Sequence, residues 1–460
     1  MRLLFSVIAC LFFLAPLKAA DLQLGTAAIV INPPEGTPLA GYYSRRGSKN
    51  ILDDIQCKTI VLEKDGTKVA LIVCDLISLP RHTIREARRL IEKQSGISGA
   101  NVMISATHTH TGPALIRESA IDDLIGANSD LGKRYTEALP ELIVKSVVEA
   151  NKKLVPALAA AGIGREANIS FNRRFVMKDG AVSWNPAKLN PNIVRPAGPI
   201  DPDVGVIYFE DANAKALATY VNFALHPDTT GGANVSADYP GALAKLLGDY
   251  KGAEMLTLFA NGCCGNINHR NINWANRQSG PAEAKRIGTV LAGSVFKTYM
   301  AMKPIADGPL RVKSATVELA LPPITDDDIA KANEVVKRIK DPKTVFLDKV
   351  RAFQVLDVAG RKGKPWEVEV QVIALGDAVA WVSLPGEMFV ELGLGIKKSS
   401  PFAYTMLAEL ANGSIGYIPN KSAYSEGNYE IVSARCAEGS GEKLVEAAVK
   451  ILKELHAGKK

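Results

Sequence analysis

Short apolar runs rich in β-branched residues alternate with longer helical patterns along this 460-residue chain, and this alternation limits the folds open to it. The runs predicted as strands are 59–62, 69–74, 102–107, 204–209, 218–224, 255–259, 312–321, 368–375 and 379–384. The segments predicted as helices are 83–93, 133–152, 242–250, 282–302, 326–340, 389–397 and 442–456. Strands and helices mixed in this way favour an α/β fold of layered, mixed β-sheets flanked by helices.

The first twenty residues have the layout of a secretory signal peptide. Arg2 precedes an apolar run over 3–16, and the small residues Ala19 and Ala20 follow that run. The run is shorter than the roughly 20 residues of a membrane-spanning helix, which favours a cleaved signal over a permanent anchor. We therefore expect a secreted or periplasmic protein. Residues 21–460 are predicted to form one domain, because no change in composition marks a boundary within them.

The charge balance argues against a nucleic-acid-binding protein. Removal of Arg2 and Lys18 with the first twenty residues lowers the formal net charge from +7 to +5. No stretch in which lysine and arginine alternate with aromatic residues stands out, so no nucleic-acid partner is expected. Weak attraction to anionic membrane surfaces remains open, and so does the oligomeric state.

Cys57 and Cys74 are the cysteines for which the sequence suggests a structural relationship. They flank the turn signal Asp65-Gly66, and a two-residue loop of this kind would place them opposite each other on paired strands. A cross-strand disulfide is one expectation for an oxidising compartment. Two buried free thiols in a packed strand pair are the alternative.

Two of the six histidines, His108 and His110, lie at the end of an apolar strand and are separated by a single threonine. Side chains alternate along a strand, so both imidazoles are expected to point to the same face. Imidazoles placed in this way can share a metal ion, or a metal ion and its bound water. The pair therefore predicts a metal site.

Two further junctions between strands and turns carry polar side chains. His226 follows another apolar strand and precedes a proline, and Glu387 follows a third apolar run and a Pro-Gly turn. Strand ends at one sheet edge form the clefts in which α/β proteins bind ligands, so His226 is expected near the first two histidines. Glu387 is expected in the first turn of the following helix, where the helix dipole favours a carboxylate.

These segments, in this order, resemble those of the neutral, non-lysosomal ceramidase family. The resemblance is carried by Thr-His-Thr-His-x-Gly-Pro at 107–113, the histidine at 226, Leu-Pro-Gly-Glu at 384–387 and Gly-Tyr at 416–417. Phe-Asn-Arg-Arg at 171–174 and Arg-Pro-Ala-Gly-Pro-Ile-Asp-Pro at 195–202 add to it. The resemblance covers nearly all of the sequence after residue 20. It implies the family's catalytic domain without the β-sandwich domain that typically follows it.

The resemblance implies a zinc site and assigns roles to its residues. His108, His226, Glu387 and Tyr417 match the family's zinc ligands, and His110 would lie beside the metal-bound water. Two imidazoles with oxygen ligands are a reasonable donor set for Zn²⁺. Zinc lowers the pKa of its bound water to about 7, so that hydroxide is available to attack a carbonyl carbon at neutral pH.

The resemblance also implies a reaction and a substrate class. Arg173 and Tyr429 match pocket residues that would orient the substrate or stabilise developing charge. The implied reaction is hydrolysis of an N-acyl amide bond by metal-bound water. The implied substrate is ceramide, which yields a sphingoid base and a fatty acid, or a smaller amide, ester or lactone.

The chain departs from the family at one position that matters for the mechanism. An essential serine of the family, in Gly-Asp-x-Ser-Pro-Asn, is replaced by Asn268 in Gly-Asn-Ile-Asn-His-Arg at 265–270. An amide cannot act as a hydroxyl nucleophile, although it can donate a hydrogen bond to an oxyanion. The replacement favours direct attack by water and leaves the specificity for ceramide open.

Two other classes of function stay open at this point. Cys264 and His269 could form the nucleophile and base of a cysteine hydrolase. Small residues in a tight, buried loop explain the adjacent Cys263 and Cys264 more simply, and no third group that would orient the pair can be named, so this hypothesis ranks second. A non-catalytic binding protein could keep the same scaffold. Asp238 could orient His226 or cap the following helix, and we favour the cap.

Overall fold

The computed structural model describes residues 22–458, so the predicted signal peptide lies outside the described residues. The strands are β1 (Gln23–Val30), β2 (Gln56–Lys64), β3 (Thr67–Cys74), β4 (Val102–Ala106), β5 (Val155–Pro156), β6 (Leu158–Arg165), β7 (Phe171–Asn172), β8 (Arg174–Met177), β9 (Val182–Trp184), β10 (Ile193–Pro196), β11 (Asp203–Glu210), β12 (Ala216–Phe223), β13 (Leu256–Asn261), β14 (Ile267–Asn268), β15 (Lys303–Pro304), β16 (Leu310–Leu319), β17 (Trp366–Leu375), β18 (Val379–Ser383), β19 (Glu387–Met388), β20 (Tyr404–Ala408) and β21 (Tyr417–Ile418). The helices are α1 (Arg81–Ser95), α2 (Asp122–Ile125), α3 (Asp130–Lys152), α4 (Tyr239–Lys251), α5 (Pro281–Tyr299), α6 (Asp326–Lys337), α7 (Phe346–Gly360), α8 (Val390–Ser399), α9 (Tyr429–Ser433) and α10 (Ser440–Ala457).

Three sheets form the frame of the part that the structure describes. The first sheet has the order β4-β3-β2-β1-β5, the second β13-β12-β11-β6-β15 and the third β16-β17-β18-β20. Their inner faces share one apolar core, to which Ile60, Tyr220 and Trp381 contribute one residue from each sheet. Helices α1 and α3 pack on the outer face of the first sheet, α4 and α5 on the second, and α8 and α10 on the third. The predicted fold of layered, mixed sheets flanked by helices is confirmed.

The central strands are buried on both faces, which explains why their sequences are continuous apolar runs. In β12, Tyr220 lies in the shared inner core while Val221 and Phe223 pack against the outer helices. In β18, Trp381 points inwards and Val382 points outwards in the same way. Side chains alternate between the two faces of a strand. Each of these strands therefore contributes side chains both to the shared inner core and to the apolar layer under the outer helices of its own sheet.

Each of these sheets contains one parallel pair within residues 22–458: β3 with β4, β12 with β13, and β18 with β20. Main-chain hydrogen bonds join the ends of these pairs, from Glu409 N to Asn261 O at 3.0 Å and from Asn412 N to Ile104 O at 2.8 Å. The Asn261 side chain also donates to the Thr107 carbonyl oxygen at 3.4 Å. The carboxyl ends of the parallel strands therefore meet at one place.

The predicted β2–β3 hairpin is confirmed. Asp65 and Gly66 form its two-residue loop with φ values of 49° and 76°, which a type I′ turn requires. Cys57 lies directly opposite Cys74. Both are buried free thiols, so the structure supports the second of the two expectations for this pair and not the disulfide.

Several elements were not predicted from the sequence. Strand β6 consists largely of alanine and glycine, which carry little strand signal, and β20 has only five residues. The predicted helix over 326–340 ends at Lys337, and the separate helix α7 follows it. Among residues 22–458, no helix combines the length and apolarity needed to cross a bilayer.

Trp381→Ala is expected to lower the free energy of unfolding by about 3–5 kcal/mol. Trp381 is fully buried where the three sheets meet, and its ring packs edge-on against Tyr220 with centroids 6.1 Å apart. Urea unfolding followed by circular dichroism measures the change. The control is Trp274→Ala, for which a loss below about 1 kcal/mol is expected because Trp274 is 43% exposed. Equal losses in the two variants would contradict this description of the core.

Candidate metal centre

Three imidazoles face one another where the strand ends meet. The ring nitrogens that His108, His110 and His226 can offer to a metal ion all lie within 4.8 Å of one another. His110 Nε2 is 3.3 Å from His108 Nε2, and the ring centroids of His108 and His226 are 4.6 Å apart. The structure thus brings together the three histidines that the sequence singled out.

The hydrogen bond that Nδ1 of each imidazole makes determines whether Nδ1 or Nε2 carries the ring proton. All three rings direct Nδ1 to a main-chain carbonyl oxygen. The contacts are His108 with Ile77 at 2.7 Å, His226 with Cys264 at 2.8 Å, and His110 with Gly41 at 3.1 Å. A carbonyl oxygen only accepts hydrogen bonds, so Nδ1 carries the proton and Nε2 keeps its lone pair. The Nε2 atoms therefore present lone pairs to a common centre.

A carboxylate completes this arrangement. Glu387 Oε2 lies 3.4 Å from His108 Nε2 and 3.3 Å from His226 Nε2. The oxygen is buried and accepts no hydrogen bond from any residue that the structure describes. A buried charged oxygen without a partner is costly, and it would be repelled by the neighbouring lone pairs. A divalent cation satisfies all of these atoms at once, and two imidazoles with a carboxylate suit zinc.

The electrostatics of the centre favour the protonation states that bind metals. Burial lowers the pKa of His226 to about 3, with a further contribution from the positive charge of Arg173. Burial also lowers the pKa of His110 to about 4, against the opposing effect of Asp228. Burial alone would raise the pKa of Glu387, but the adjacent histidines outweigh it and hold that pKa well below its usual range. At neutral pH, both of these imidazoles are neutral and the carboxylate is ionised.

The two histidines of the His-x-His pair meet for a different reason from the one predicted. Strand β4 ends at Ala106, and His108 has a φ of 74°, in the left-handed region. The strand alternation that was expected to place both rings on one face therefore does not apply. A non-glycine residue in this region is uncommon and is held there by its surroundings. The turn at His108 brings its ring centroid to 4.8 Å from that of His110.

Glu387 lies in a strand, and its predicted position in the first turn of a helix is wrong. It belongs to the two-residue strand β19 and pairs in parallel with Tyr417 of β21, while α8 begins at Val390. A Cβ atom on Gly265 would overlap the Glu387 carbonyl group, so a glycine is needed where the loop after β13 packs against β19. These contacts position the carboxylate under the histidines.

A buried carboxylate behind the centre, Glu409, was not predicted. It follows β20 and accepts hydrogen bonds from the N–H groups of Cys264 at 3.0 Å and Met388 at 3.1 Å, and from the Cys264 thiol at 2.9 Å. Glu409 thus connects the loop that supports His226 to the strand that carries Glu387. An acidic residue within the apolar segment Leu-Ala-Glu-Leu at 407–410 was the signal available in the sequence.

The structure does not bring Cys264 and His269 together as a catalytic pair. The Cys264 thiol contacts Glu409 and lies 3.1 Å from His226 Nδ1, whereas His269 Nε2 is bonded to the Gln278 carbonyl oxygen at 2.8 Å. Burial raises the pKa of the Cys264 thiol well above its usual range, which disfavours the reactive thiolate. The expectation of a cysteine hydrolase has no geometric support.

Arg173 borders the histidine cluster. Its Nε donates to Glu430 Oε1 at 2.7 Å and its Nη2 to the Gly265 carbonyl oxygen at 2.6 Å. The remaining nitrogen, Nη1, lies 3.4 Å from His226 Nε2. The neighbouring Arg174 binds the second oxygen of Glu430 at 2.9 Å, so the orientation of Arg173 is well supported. Two of its nitrogens have partners elsewhere, and Nη1 faces the centre.

Tyr417 and Tyr429 line one side of the centre. Their rings are edge to face with centroids 5.4 Å apart, and the Arg173 guanidinium lies 5.4 Å from the centroid of Tyr417. Tyr429 also packs on Trp184, with centroids 4.5 Å apart. Burial raises the pKa of both phenols well above the usual range, so both hydroxyls are protonated in this structure.

The side chain of Asn268 is hydrogen-bonded to other residues than the histidines. Its amide nitrogen donates to Asn185 Oδ1 at 2.7 Å, and its oxygen accepts from the Arg270 N–H at 3.0 Å. Within residues 22–458, no hydrogen bond connects it to the imidazole cluster. Asn268 is instead connected to the segment that carries Arg173, because it pairs with Phe171 and its partner Asn185 donates from its main-chain N–H to the Arg173 carbonyl oxygen at 2.8 Å.

The favoured prediction for Asp238, a helix cap, is confirmed. Its carboxylate accepts a hydrogen bond from Tyr239 N at 2.7 Å at the start of α4. The same side chain accepts from the N–H groups of Thr229 at 3.0 Å and Thr230 at 2.7 Å. The partner of the His226 imidazole is instead the Cys264 carbonyl oxygen.

Fold and site together define an α/β protein with a buried centre of imidazoles and a carboxylate, and known proteins share this fold. No family model matches the chain. It is 32% identical over 158 residues to "Neutral ceramidase" of Pseudomonas aeruginosa, covering 33% of this chain and 22% of that protein. It is 31% identical over 151 residues to "Neutral ceramidase B" of Dictyostelium discoideum, covering 32% of this chain and 20% of that protein.

The crystal structure of neutral ceramidase from Pseudomonas aeruginosa superimposes with a TM-score of 0.74 at 19% identity, covering 95% of this chain and 75% of that chain. A structure described as "Ceramidase complexed with C2" gives a TM-score of 0.73. The resemblance to the neutral ceramidase family is confirmed, in sequence over a third of the chain and in fold over nearly all of it. The sequence matches span only about a fifth of the curated relatives' length.

A thiol reagent is expected to label Cys264 only after unfolding, because the thiol is fully buried and its pKa is raised. Reaction of the parent and of Cys264→Ala with Ellman's reagent, before and after addition of guanidinium chloride, tests this. The two proteins should react equally when folded and differ by one thiol when unfolded. Faster labelling of the folded parent would show an accessible thiol and reopen the cysteine mechanism.

Proposed function

We propose that this chain is a zinc-dependent hydrolase that cleaves the amide bond of N-acyl compounds. One observation carries the proposal: buried Nε2 lone pairs converge beside the unpartnered oxygen of Glu387. The names of the matched relatives, which are ceramidases, favour N-acyl lipids or smaller N-acyl compounds as substrates. Ceramide itself belongs to this proposed class.

His108, His226 and Glu387 would hold the metal, and Tyr417 is proposed as a further oxygen ligand because it pairs with Glu387 across β19 and β21. When bound, zinc polarises a carbonyl group and makes water a nucleophile at neutral pH. The Nδ1–H bonds to main-chain carbonyls keep the imidazoles in the required tautomer.

His110 is proposed as the residue that moves protons. Its low pKa leaves Nε2 free to accept a proton from the attacking water. Asp228 Oδ1 lies 3.7 Å from His110 Nδ1 and would stabilise the resulting imidazolium. Tyr42 donates to the same carboxylate at 2.6 Å and so orients it. The imidazolium could then return the proton to the leaving amine.

Arg173 is proposed to stabilise the negative charge that develops on the acyl oxygen. Its Nη1 is the guanidinium nitrogen that faces the centre, and a fixed donor of this kind lowers the barrier for acyl transfer. Tyr429 would form the wall for the acyl chain together with Trp184. We keep Asn268 as a proposed hydrogen-bond donor to the substrate, and its lack of a hydroxyl favours direct attack by water.

Two broader expectations remain proposals. Secretion or periplasmic export rests on the first twenty residues, which lie outside the described part of the chain. Weak contact with an anionic membrane surface rests on the net positive charge alone.

The parent protein is expected to retain about one zinc ion per chain, and His226→Ala is expected to lose most of it. The physical reason is that the variant removes one of the converging Nε2 atoms. Metal analysis after dialysis against a weak chelator measures the difference. His82→Ala is the matched control, because His82 lies in α1 and not in the cluster. Stoichiometric zinc in His226→Ala would remove this residue from the ligand set.

Hydrolysis of an N-acyl amide should stop when zinc is removed with a strong chelator and return when zinc is added back. The reason is that the proposed nucleophile depends on the ion. Release of fatty acid, measured by mass spectrometry, reports the reaction. A protein that retains zinc but turns over no amide, ester or lactone would favour the non-catalytic binding protein instead.

His110→Asn is expected to retain zinc but to lower kcat by about 100- to 10,000-fold, the usual contribution of a general base. Steady-state kinetics and metal analysis on the same preparation separate the two effects. Loss of zinc together with activity would make His110 a metal ligand and contradict its proposed role in proton transfer.

A further inference from the structure

A cavity of about 560 Å³ is formed where three segments of the chain meet. Its lining residues are drawn from 167–175, 189–200 and 270–273. Cavities of about 300–1,000 Å³ are typical of sites that hold small molecules. None of the residues assigned to the candidate metal centre is among those that line this cavity. Its contents would therefore touch a different set of side chains.

The sheet β10-β8-β9 separates the cavity from the aromatic side of the metal centre. In β8, Phe175 lines the cavity and lies opposite Ser183 of β9. The preceding residue of β8, Arg174, lies opposite Trp184. Paired residues share a face of the sheet and successive residues alternate, so Phe175 and Trp184 are on opposite faces. Because Trp184 packs on Tyr429 beside the metal centre, the cavity lies on the other side of this sheet.

The wall of the cavity carries two arginines and no carboxylate. Arg195 and Arg270 are the charged residues that line it. The Arg195 guanidinium donates to the carbonyl oxygen of Pro196, another lining residue, at 3.1 Å, which places this group at the wall.

Neither arginine is neutralised by an ion pair in the part of the chain that the structure describes. The Arg270 side chain is half-buried, and its guanidinium has no hydrogen-bond partner among the described residues, whereas its main-chain N–H donates to Asn268 Oδ1 at 3.0 Å. An arginine side chain stays protonated in proteins. The wall therefore carries two positive charges that lack an anion.

Most of the remaining wall is apolar. Its apolar members inside the cavity include Phe171, Phe175, Ile193, Ile200 and Ile272. Apolar surface of this kind gains free energy when a hydrocarbon chain displaces water from it. The cavity thus combines a cationic region with a surface that suits an alkyl chain.

Two exposed apolar side chains, Leu189 and Val194, border the cavity. They are 60% and 58% exposed. Leu189 also has a φ of 54°, in the left-handed region, and its N–H donates to the Ile272 carbonyl oxygen at 2.8 Å. A leucine is uncommon in this conformation, and an exposed one adds little to stability. Strained backbone and exposed apolar groups are typical of binding sites.

We propose that this cavity is a binding site for a fatty acid, with the carboxylate at Arg195 and Arg270 and the alkyl chain along the apolar wall. Guanidinium groups form charge-assisted, bidentate hydrogen bonds with carboxylates. A neutral lipid would leave both charges without a partner, and a small hydrophilic anion would leave the apolar wall uncovered. The site goes beyond the proposed hydrolysis, because it uses none of the residues of the metal centre.

The test compares ligands that share a chain or a head group. Calorimetric titration of the zinc-loaded protein with decanoate, 1-decanol and acetate gives the three Kd values. Decanoate is expected to bind about 10- to 100-fold more tightly than 1-decanol, the effect of hydrogen bonds to charged groups. Acetate, which lacks the chain, should show no measurable binding.

Variants of one arginine identify the group responsible. Arg270→Gln should raise the Kd for decanoate about 10-fold or more and leave that for 1-decanol unchanged. Arg270→Lys should keep part of the affinity because it keeps the charge. Arg277→Gln is the matched control and should behave as the parent. Arg277 follows in the same loop, is exposed, bonds Ser279 and does not line the cavity.

Leu189→Asn separates binding from folding. Asparagine tolerates the left-handed backbone better than leucine does, so the Tm measured by circular dichroism should not fall. Loss of apolar contact should weaken the binding of decanoate and 1-decanol alike, by about 3- to 10-fold. A lower Tm with unchanged binding would show that Leu189 is structural and contradict its place in the site.

Equal affinities for decanoate and 1-decanol would overturn the proposed site. Unchanged decanoate affinity in Arg270→Gln would overturn it as well, and loss of binding in His226→Ala would then place the ligand at the metal centre. The titration measures no turnover, so these results leave the proposed amide hydrolase to its own tests, which are zinc content and release of fatty acid.

Discussion

The hydrogen bonds from three imidazole Nδ1 atoms to main-chain carbonyls are the interactions on which the centre depends. They assign the ring protons, so that lone pairs and the Glu387 oxygen converge in a buried space. The Glu387 oxygen lies 3.3–3.4 Å from the Nε2 lone pairs of His108 and His226. These negative partial charges repel one another unless a cation lies between them. The scaffold therefore holds a donor set whose repulsion a metal ion relieves. The same tautomers leave His110 able to accept a proton.

The scaffold that holds these groups has one parallel strand pair in each of three sheets. The segments after β4 and β12 carry the histidines, and the short strand β19, which follows β18, carries Glu387. The parallel partners of β4, β12 and β18 support these segments. Glu409 after β20 ties the loop after β13 to β19. A single centre is thus built from three sheets that share one apolar core. Displacement of any sheet would separate the donor atoms, so packing of the core and geometry of the site are coupled.

Much of the fold and part of the site could be predicted, because buried strands and amphipathic helices carry periodic signals. Strand β6 escaped prediction because alanine and glycine pack where larger side chains would not fit, with Gly164 against Thr298. The left-handed backbone of His108 and the strand conformation of Glu387 depend on contacts with distant segments. Glu409 looked like an ordinary acidic residue, since nothing nearby in sequence reveals the N–H groups that it binds.

The sequence by itself determined the α/β class, the β2–β3 hairpin and the resemblance to the neutral ceramidases, because local periodicity, turn chemistry and short motifs are written in consecutive residues. Only the tertiary structure decided which polar groups meet. It paired Cys264 with Glu409 and His226 rather than with His269. The physical reason is that hydrogen bonds, burial and charge compensation depend on distances between residues far apart in the chain, which no local pattern records.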